Sequence, residues 1–238
     1  MDATYHSCAA PGCRGRGTSV MPTDASAHDP RSPVASADCA DGAVGAIVEA
    51  IAANGLAVLR HAVADPLVAG LRDAARARDA AGEFRAAGVG RAAARVERPQ
   101  IRGDRIRWLD AEGARPAESA LFALLERLRL DVNEALFLGL LEFEGHYAIY
   151  PPGAGYARHV DRFRDDDARV LTLILYLNEA WTPAQGGALR IVQDDGAARD
   201  VLPEGGTLVA FLADRFPHEV LPATRERLAF TGWYRRRP

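Results

Sequence analysis

The 238-residue sequence predicts a mainly β protein with flanking helices: a double-stranded β-helix (jelly-roll) core buttressed by N-terminal helices. Two observations carry this. From Glu142 onward, eight short runs of β-branched, aliphatic and aromatic residues are separated by Gly, Pro and Asp turns. Ahead of them, apolar residues recur at helical rather than alternating spacing. The chain is long enough to bury a sizeable core, and no internal repeat is visible.

Taken in order, residues 1–40 are rich in Ser, Pro, Gly and Ala without periodicity and read as a disordered tail. Translation could start at Met1 or Met21. Residues 41–141 read as support for the core. Val44, Ile47, Ile51 and Ala52 define a helix over 43–54 that stops at Asn54-Gly55. Residues 56–63 read as a strand. Asp65-Pro66 reads as the N-cap and first turn of a helix running to about 81. The Arg-, Ala- and Gly-rich stretch 82–100 reads as a mobile loop, 104–109 as a strand, and 117–137 as the longest helix. Residues 142–238 hold the core strands at 143–150, 156–161, 169–178, 187–192, 199–202, 206–212, 217–221 and 227–235, in one domain with 41–141.

The net charge of −3 gives no electrostatic case for nucleic acid as a main partner. All 29 basic residues are Arg, a bias that points to a GC-rich bacterial source rather than to function. Cys8, Cys13 and Cys39 cluster in the tail and form no disulfide framework; Cys8 and Cys13 with His6 lack the second ligand pair of a zinc finger. No apolar run approaches the ~18 residues of a membrane span, and no signal-peptide core is present, so a cytoplasmic protein without membrane contact is expected.

His159 and Asp161 lie two apart on an expected strand and share one face. His218 opens another short strand. Two imidazoles and a carboxylate on one side of a metal leave positions open opposite them, which suits non-haem iron(II). The first motif alone is weak, because a His-x-Asp arises readily by chance and Asp161 leads into an acidic turn. Arg227 adds weight. Period two places Arg227, Ala229, Thr231 and Trp233 of the last strand on one face, and an inward guanidinium needs an anionic partner. That partner is either an internal Asp or Glu, or the distal carboxylate of 2-oxoglutarate, whose other end would chelate iron. His61 and His146 fall outside the triad spacing and read as structural.

The segments "YPPGAGYARHVD", "RVLTLILYLNEAW", "GGALRIV" and "FPHEVLPATRERLAFTGWY", with "RGDRIRWLD" ahead of them, resemble the prolyl 4-hydroxylase group of Fe(II)/2-oxoglutarate-dependent oxygenases. They are most like the hypoxia-inducible-factor prolyl hydroxylases and their bacterial relatives, over about residues 95–235. The resemblance implies that Tyr176 joins Arg227 at the distal carboxylate. It implies that Tyr150, Thr231, Trp233 and Val220 line the 2-oxoglutarate pocket, and that Tyr156 and Arg158 stand at the mouth where substrate binds. It implies Fe(II) as cofactor, 2-oxoglutarate and dioxygen as co-substrates, and ascorbate as a stimulant. The expected activity is hydroxylation of a prolyl residue in a protein or peptide, with release of succinate and CO2. Elongation factor Tu is a candidate substrate by analogy with bacterial relatives. The alternatives are hydroxylation of a free amino acid or small metabolite, and a non-catalytic oxygen- or 2-oxoglutarate-sensing module. The chain ends directly after its last strand and its 82–100 stretch has its own sequence, so the resemblance says less about substrate than about the metal centre.

Overall fold

Eleven strands and three helices make up the described part of the computed structural model, which covers residues 38–88, 96, 98, 100–162 and 168–237. The helices are α1 (Asp38–Asn54), α2 (Asp65–Ala80) and α3 (Pro116–Leu136). The strands are β1 (Leu56–Leu59), β2 (Arg85–Ala86), β3 (Arg105–Leu109), β4 (Glu142–Tyr150), β5 (Tyr156–His159) and β6 (Arg169–Tyr176), followed by β7 (Leu189–Val192), β8 (Ala198–Val201), β9 (Leu208–Leu212), β10 (His218–Val220) and β11 (Arg227–Arg235). Among the described residues no helix is long and apolar enough to cross a membrane.

The strands form two antiparallel sheets, a major one in the order β1-β9-β6-β11-β4-β3-β2 and a minor one in the order β5-β10-β7-β8. Alternation along the strands explains how the major sheet is covered on both faces. On β6, Leu171, Leu173 and Leu175 join Val44, Leu71, Leu121 and Leu128 in the core under the helices. The intervening Ile174 and Tyr176 turn the other way and pack with Leu189, Ile191 and Val220 of the minor sheet. A strand buried on both faces reads as a continuous apolar run, which is what 170–176 shows apart from Thr172. The long β4 and β11 come close at Gly145 and Gly232, where a Cβ on Gly232 would lie 2.3 Å from the Phe143 ring.

Several expectations shift in detail. The first helix begins at Asp38, so residues 38–40 belong to it rather than to the tail; the rest of the expected tail, 1–37, lies outside the described residues. The strand expected over 56–63 stops at Leu59, because the chain turns at His61, whose φ is +53°. Asp65 is in the first turn of α2, not its cap; the cap is Ala64, with no side-chain hydrogen bond, and Asp65 acts there only as a negative charge near the helix N-terminus. Within the stretch read as a loop, Arg85 and Ala86 pair with Ile106 and Arg105, while 89–95, 97 and 99 lie outside the described residues.

A buried ion pair ties α2 to α3. Arg78 donates from Nε and Nη2 to the two carboxylate oxygens of Glu118, each at 2.8 Å, and from Nη1 to Glu83 at 2.9 Å. Glu118 is fully buried, and although burial alone would raise its pKa, the Arg78 hydrogen bond holds it low.

Candidate active site

A cavity of about 330 Å³ opens between the sheets, and its wall brings together residues far apart in the sequence. β5 and β10 pair antiparallel with His159 opposite His218, so the two imidazoles meet across adjacent strands. Their ring centroids are 4.3 Å apart. Asp161 lies just past β5 and points between them: its Oδ1 is 3.4 Å from His159 Nε2 and its Oδ2 is 3.6 Å from His218 Nε2. One ligand atom from each of the three lies within 4.8 Å of the others.

Both histidines are oriented by backbone carbonyls. His159 Nδ1 is 2.8 Å from the Ala157 oxygen and His218 Nδ1 is 2.9 Å from the Phe216 oxygen. A carbonyl only accepts, so Nδ1 carries the proton and Nε2 presents its lone pair inward. The Tyr156 ring stacks on His159 at 3.7 Å, and Phe211 meets His218 edge-on. Burial pushes the His218 imidazolium down, favouring the neutral, ligating form. Burial opposes ionisation of Asp161, but the charge of His218 and His159 when these rings are protonated, and the Thr172 hydroxyl, outweigh it and hold the carboxyl well below the usual range. Two imidazoles and a carboxylate are the donor set that a divalent first-row metal such as iron(II) takes with positions left open, the metal replacing any proton at Nε2.

Arg227 is buried on the cavity wall at the start of β11. Its Nε donates to the Gly187 carbonyl at 3.0 Å, and its guanidinium lies 5.1 Å from the Tyr150 ring and 5.0 Å from that of Tyr176. Among the described residues no acidic side chain pairs with it. Gly187 has φ +73°, and a Cβ there would lie 2.9 Å from Ala223 and 3.6 Å from Arg227 Cδ, so the carbonyl that aims Arg227 sits in a turn that suits glycine. The Tyr176 hydroxyl is buried without a hydrogen-bond partner among the described residues. A buried cation and an orphan hydroxyl side by side, within reach of a metal site, fit a ligand with a carboxylate at each end.

The remaining expected site residues separate into three groups. Tyr150, Val220, Thr231, Trp233 and Tyr156 line the cavity. Tyr176 lies behind the wall, fully buried beneath Arg227. Arg158 does not line the cavity; exposed beside it, its guanidinium pairs with Glu219 of β10 at 2.8 Å.

Other wall residues carry no signal in the sequence alone. Arg102 lines the cavity, donates to the buried Asp104 at 2.8 and 3.0 Å, and lies 4.9 Å from the Tyr156 ring. His146, read as structural, is buried but also on the wall, between Trp108 and Trp233 at 4.8 and 5.6 Å. Burial and the Arg102 charge push its pKa down to about 3. Trp108 and Val160 are the exposed apolar residues at the mouth. Thr172 donates to Asp161 Oδ2 at 2.7 Å. For Thr172 a faint signal exists, since counting by two back along β6 from Tyr176 reaches Ile174 and then Thr172.

A jelly roll with an inward His-Asp-His cluster and a deep arginine without an acidic partner among the described residues is the arrangement that metal-dependent oxygenases use, and comparison with known proteins agrees. The 2OG-Fe(II) oxygenase superfamily matches residues 145–235. A Pseudomonas putida prolyl-4-hydroxylase structure superposes with a TM-score of 0.75 at 47% identity, over 82% of this chain and 100% of that one. The chain belongs to the 2OG-Fe(II) oxygenase superfamily. A Trichoplax adhaerens prolyl hydroxylase, solved with a hypoxia inducible factor oxygen degradation domain peptide fragment, gives a TM-score of 0.72 at 26% identity over 83% of this chain and 91% of that one. Human prolyl hydroxylase EGLN3 is 38% identical over 147 residues, 58% of this chain. The chain spans 61% of the length of that human relative.

Proposed function

We propose that this protein is an Fe(II)/2-oxoglutarate-dependent prolyl 4-hydroxylase acting on a prolyl residue of a polypeptide. The observation that carries the reading is the pairing, in one cavity, of the His159-Asp161-His218 cluster with a buried Arg227 that has no protein carboxylate among the described residues. The similarity to prolyl hydroxylases from a bacterium and from animals supports the substrate class.

In this reading His159 and His218 bind iron through Nε2 and Asp161 through a carboxylate oxygen. Bound there, iron(II) with 2-oxoglutarate and dioxygen supplies the oxidising power to hydroxylate a C–H bond, with succinate and CO2 as by-products. Arg227 holds the distal carboxylate of 2-oxoglutarate, and the Tyr176 hydroxyl donates to the same group. Tyr150, Val220, Thr231 and Trp233 wall this pocket, and the apolar members exclude water from it. Tyr156 fixes the His159 ring by stacking and borders the mouth. Trp108 and Val160 offer an apolar surface on which an extended peptide can lie. No side-chain general base is assigned, because C–H hydroxylation requires none.

The test is incubation of the protein with iron(II), 2-oxoglutarate and candidate polypeptides, elongation factor Tu among them, followed by peptide mass spectrometry. The expected result is the mass gain of one oxygen on a proline, together with succinate in equal amount. Turnover of 2-oxoglutarate driven by a free amino acid, with no polypeptide modified, would overturn the substrate assignment while leaving the oxygenase chemistry standing.

A further inference from the structure

Among the described residues, each of the three clustered side chains at the metal site has a short hydrogen bond that orients it, but not in the same way. His159 and His218 lie on paired strands and use carbonyls two residues away in their own segments. Asp161 lies beyond the end of β5, on no strand, and residues 163–167 that follow it are outside the described residues. Its orienting group comes from the other sheet. Thr172 Oγ1 donates to Asp161 Oδ2 at 2.7 Å, between two buried side chains.

Thr172 is well placed to impose a direction. It lies in the middle of β6, in register with Trp233 of β11 on one side and Phe211 of β9 on the other, so its backbone is fixed from both edges. Its branched Cβ restricts χ1, and the hydroxyl interrupts an otherwise apolar run over 171–175. Burying a hydroxyl without a partner is costly, and the Asp161 carboxylate removes that cost. With Oδ2 held by Thr172, the carboxylate is fixed with Oδ1 3.4 Å from His159 Nε2 and Oδ2 3.6 Å from His218 Nε2.

We infer that Thr172 is a positioning residue of the metal centre, whose hydroxyl fixes the orientation of the Asp161 carboxylate toward the two imidazoles and so toward the metal. The inference rests on the reading of the His-Asp-His cluster as a divalent-metal site. Without the hydroxyl, the carboxylate is free to swivel and the metal loses an oriented ligand, an effect of about 10–100-fold in affinity for an outer partner of a metal ligand.

The experiment is anaerobic titration of cobalt(II) into the full chain, read by calorimetry and by the visible cobalt absorption, so that no turnover is needed. Thr172→Val removes the hydroxyl at nearly constant shape, Thr172→Ala removes it without risk of a clash, and Thr172→Ser keeps it; near-ultraviolet circular dichroism checks that each variant folds. The expected result is a weakening of about 10–100-fold and an altered cobalt spectrum in Val and Ala, with Ser close to wild type. Wild-type affinity and spectrum in a folded Val or Ala variant would overturn the inference. A Ser variant as weak as Val would overturn it too, by tracing the loss to packing. Asp161→Ala separates the two readings: if it binds cobalt as wild type does, the metal-site reading itself fails.

Discussion

Replacing Arg227 with Met has opposite expected effects on two quantities, and the pair of signs tests what the residue is for. In the protein alone, Arg227 is a buried cation whose polar contact is Nε to the Gly187 carbonyl at 3.0 Å, with Tyr150 and Tyr176 rings about its guanidinium. A buried charge with no ion pair carries a desolvation cost, and an apolar side chain of similar length avoids it. The thermal midpoint of the metal- and ligand-free variant is therefore expected to match or exceed that of wild type. Binding of 2-oxoglutarate loses the charge-assisted pair of bonds to its distal carboxylate, at about 1.5–3 kcal/mol each. Truncation thus costs roughly 3–6 kcal/mol, or about two to four powers of ten in affinity. Arg227→Lys keeps the charge but loses both the fork and the Nε–H that Gly187 receives, and is expected to lie between the two. The assay is calorimetric titration of 2-oxoglutarate into anaerobic, metal-loaded protein, beside thermal melts of the ligand-free forms. If Arg227→Met melts much lower than wild type yet binds 2-oxoglutarate normally, the arginine is structural and the reasoning fails.

Three further outcomes follow from the structure. Tyr176→Phe removes a buried hydroxyl with no partner among the described residues, so ligand-free stability should hold while 2-oxoglutarate affinity falls about tenfold; an unchanged affinity would remove Tyr176 from the pocket. Glu118→Gln breaks the buried pair with Arg78 and should lower unfolding free energy by about 3–5 kcal/mol in urea titrations, a loss that an exposed pair would not show. His146 has a folded-state pKa pushed down to about 3, below its unfolded value near 6.5, so between these values the unfolded chain binds the extra proton. Its contribution is complete above pH 6.5 and is lost as pH falls, at a slope approaching about 1.4 kcal/mol per pH unit. His146→Phe should flatten that part of the curve between pH 5 and 6.5; an identical slope in both proteins would show that His146 titrates normally.

Where the chain obeys a short-range period, its sequence is readable. The eight core strands after Glu142 follow from alternation and turn residues, and the structure moves their ends by a few residues. Arg227 can be turned inward from sequence because it shares the period-two face of Ala229, Thr231 and Trp233 on the last strand. The convergence of His159, Asp161 and His218 needs the β5–β10 register, which depends on long-range pairing. The same limit hides β2, two residues whose pairing with β3 exists only in the folded sheet, and the Arg78–Glu118 pair, which joins two helices. Thr172 escapes notice because its one faint signal, the period-two face it shares with Ile174 and Tyr176, does not reveal the carboxylate it meets.

The most direct measurement is an anaerobic titration of iron(II) and 2-oxoglutarate into the protein, followed by visible absorption. A weak charge-transfer band that needs both components, saturates at one iron and one 2-oxoglutarate per chain, and vanishes in His159→Ala and His218→Ala is the predicted result. A folded protein that gives no band, or gives the same band in those variants, would show that the imidazoles and the carboxylate do not form the metal centre.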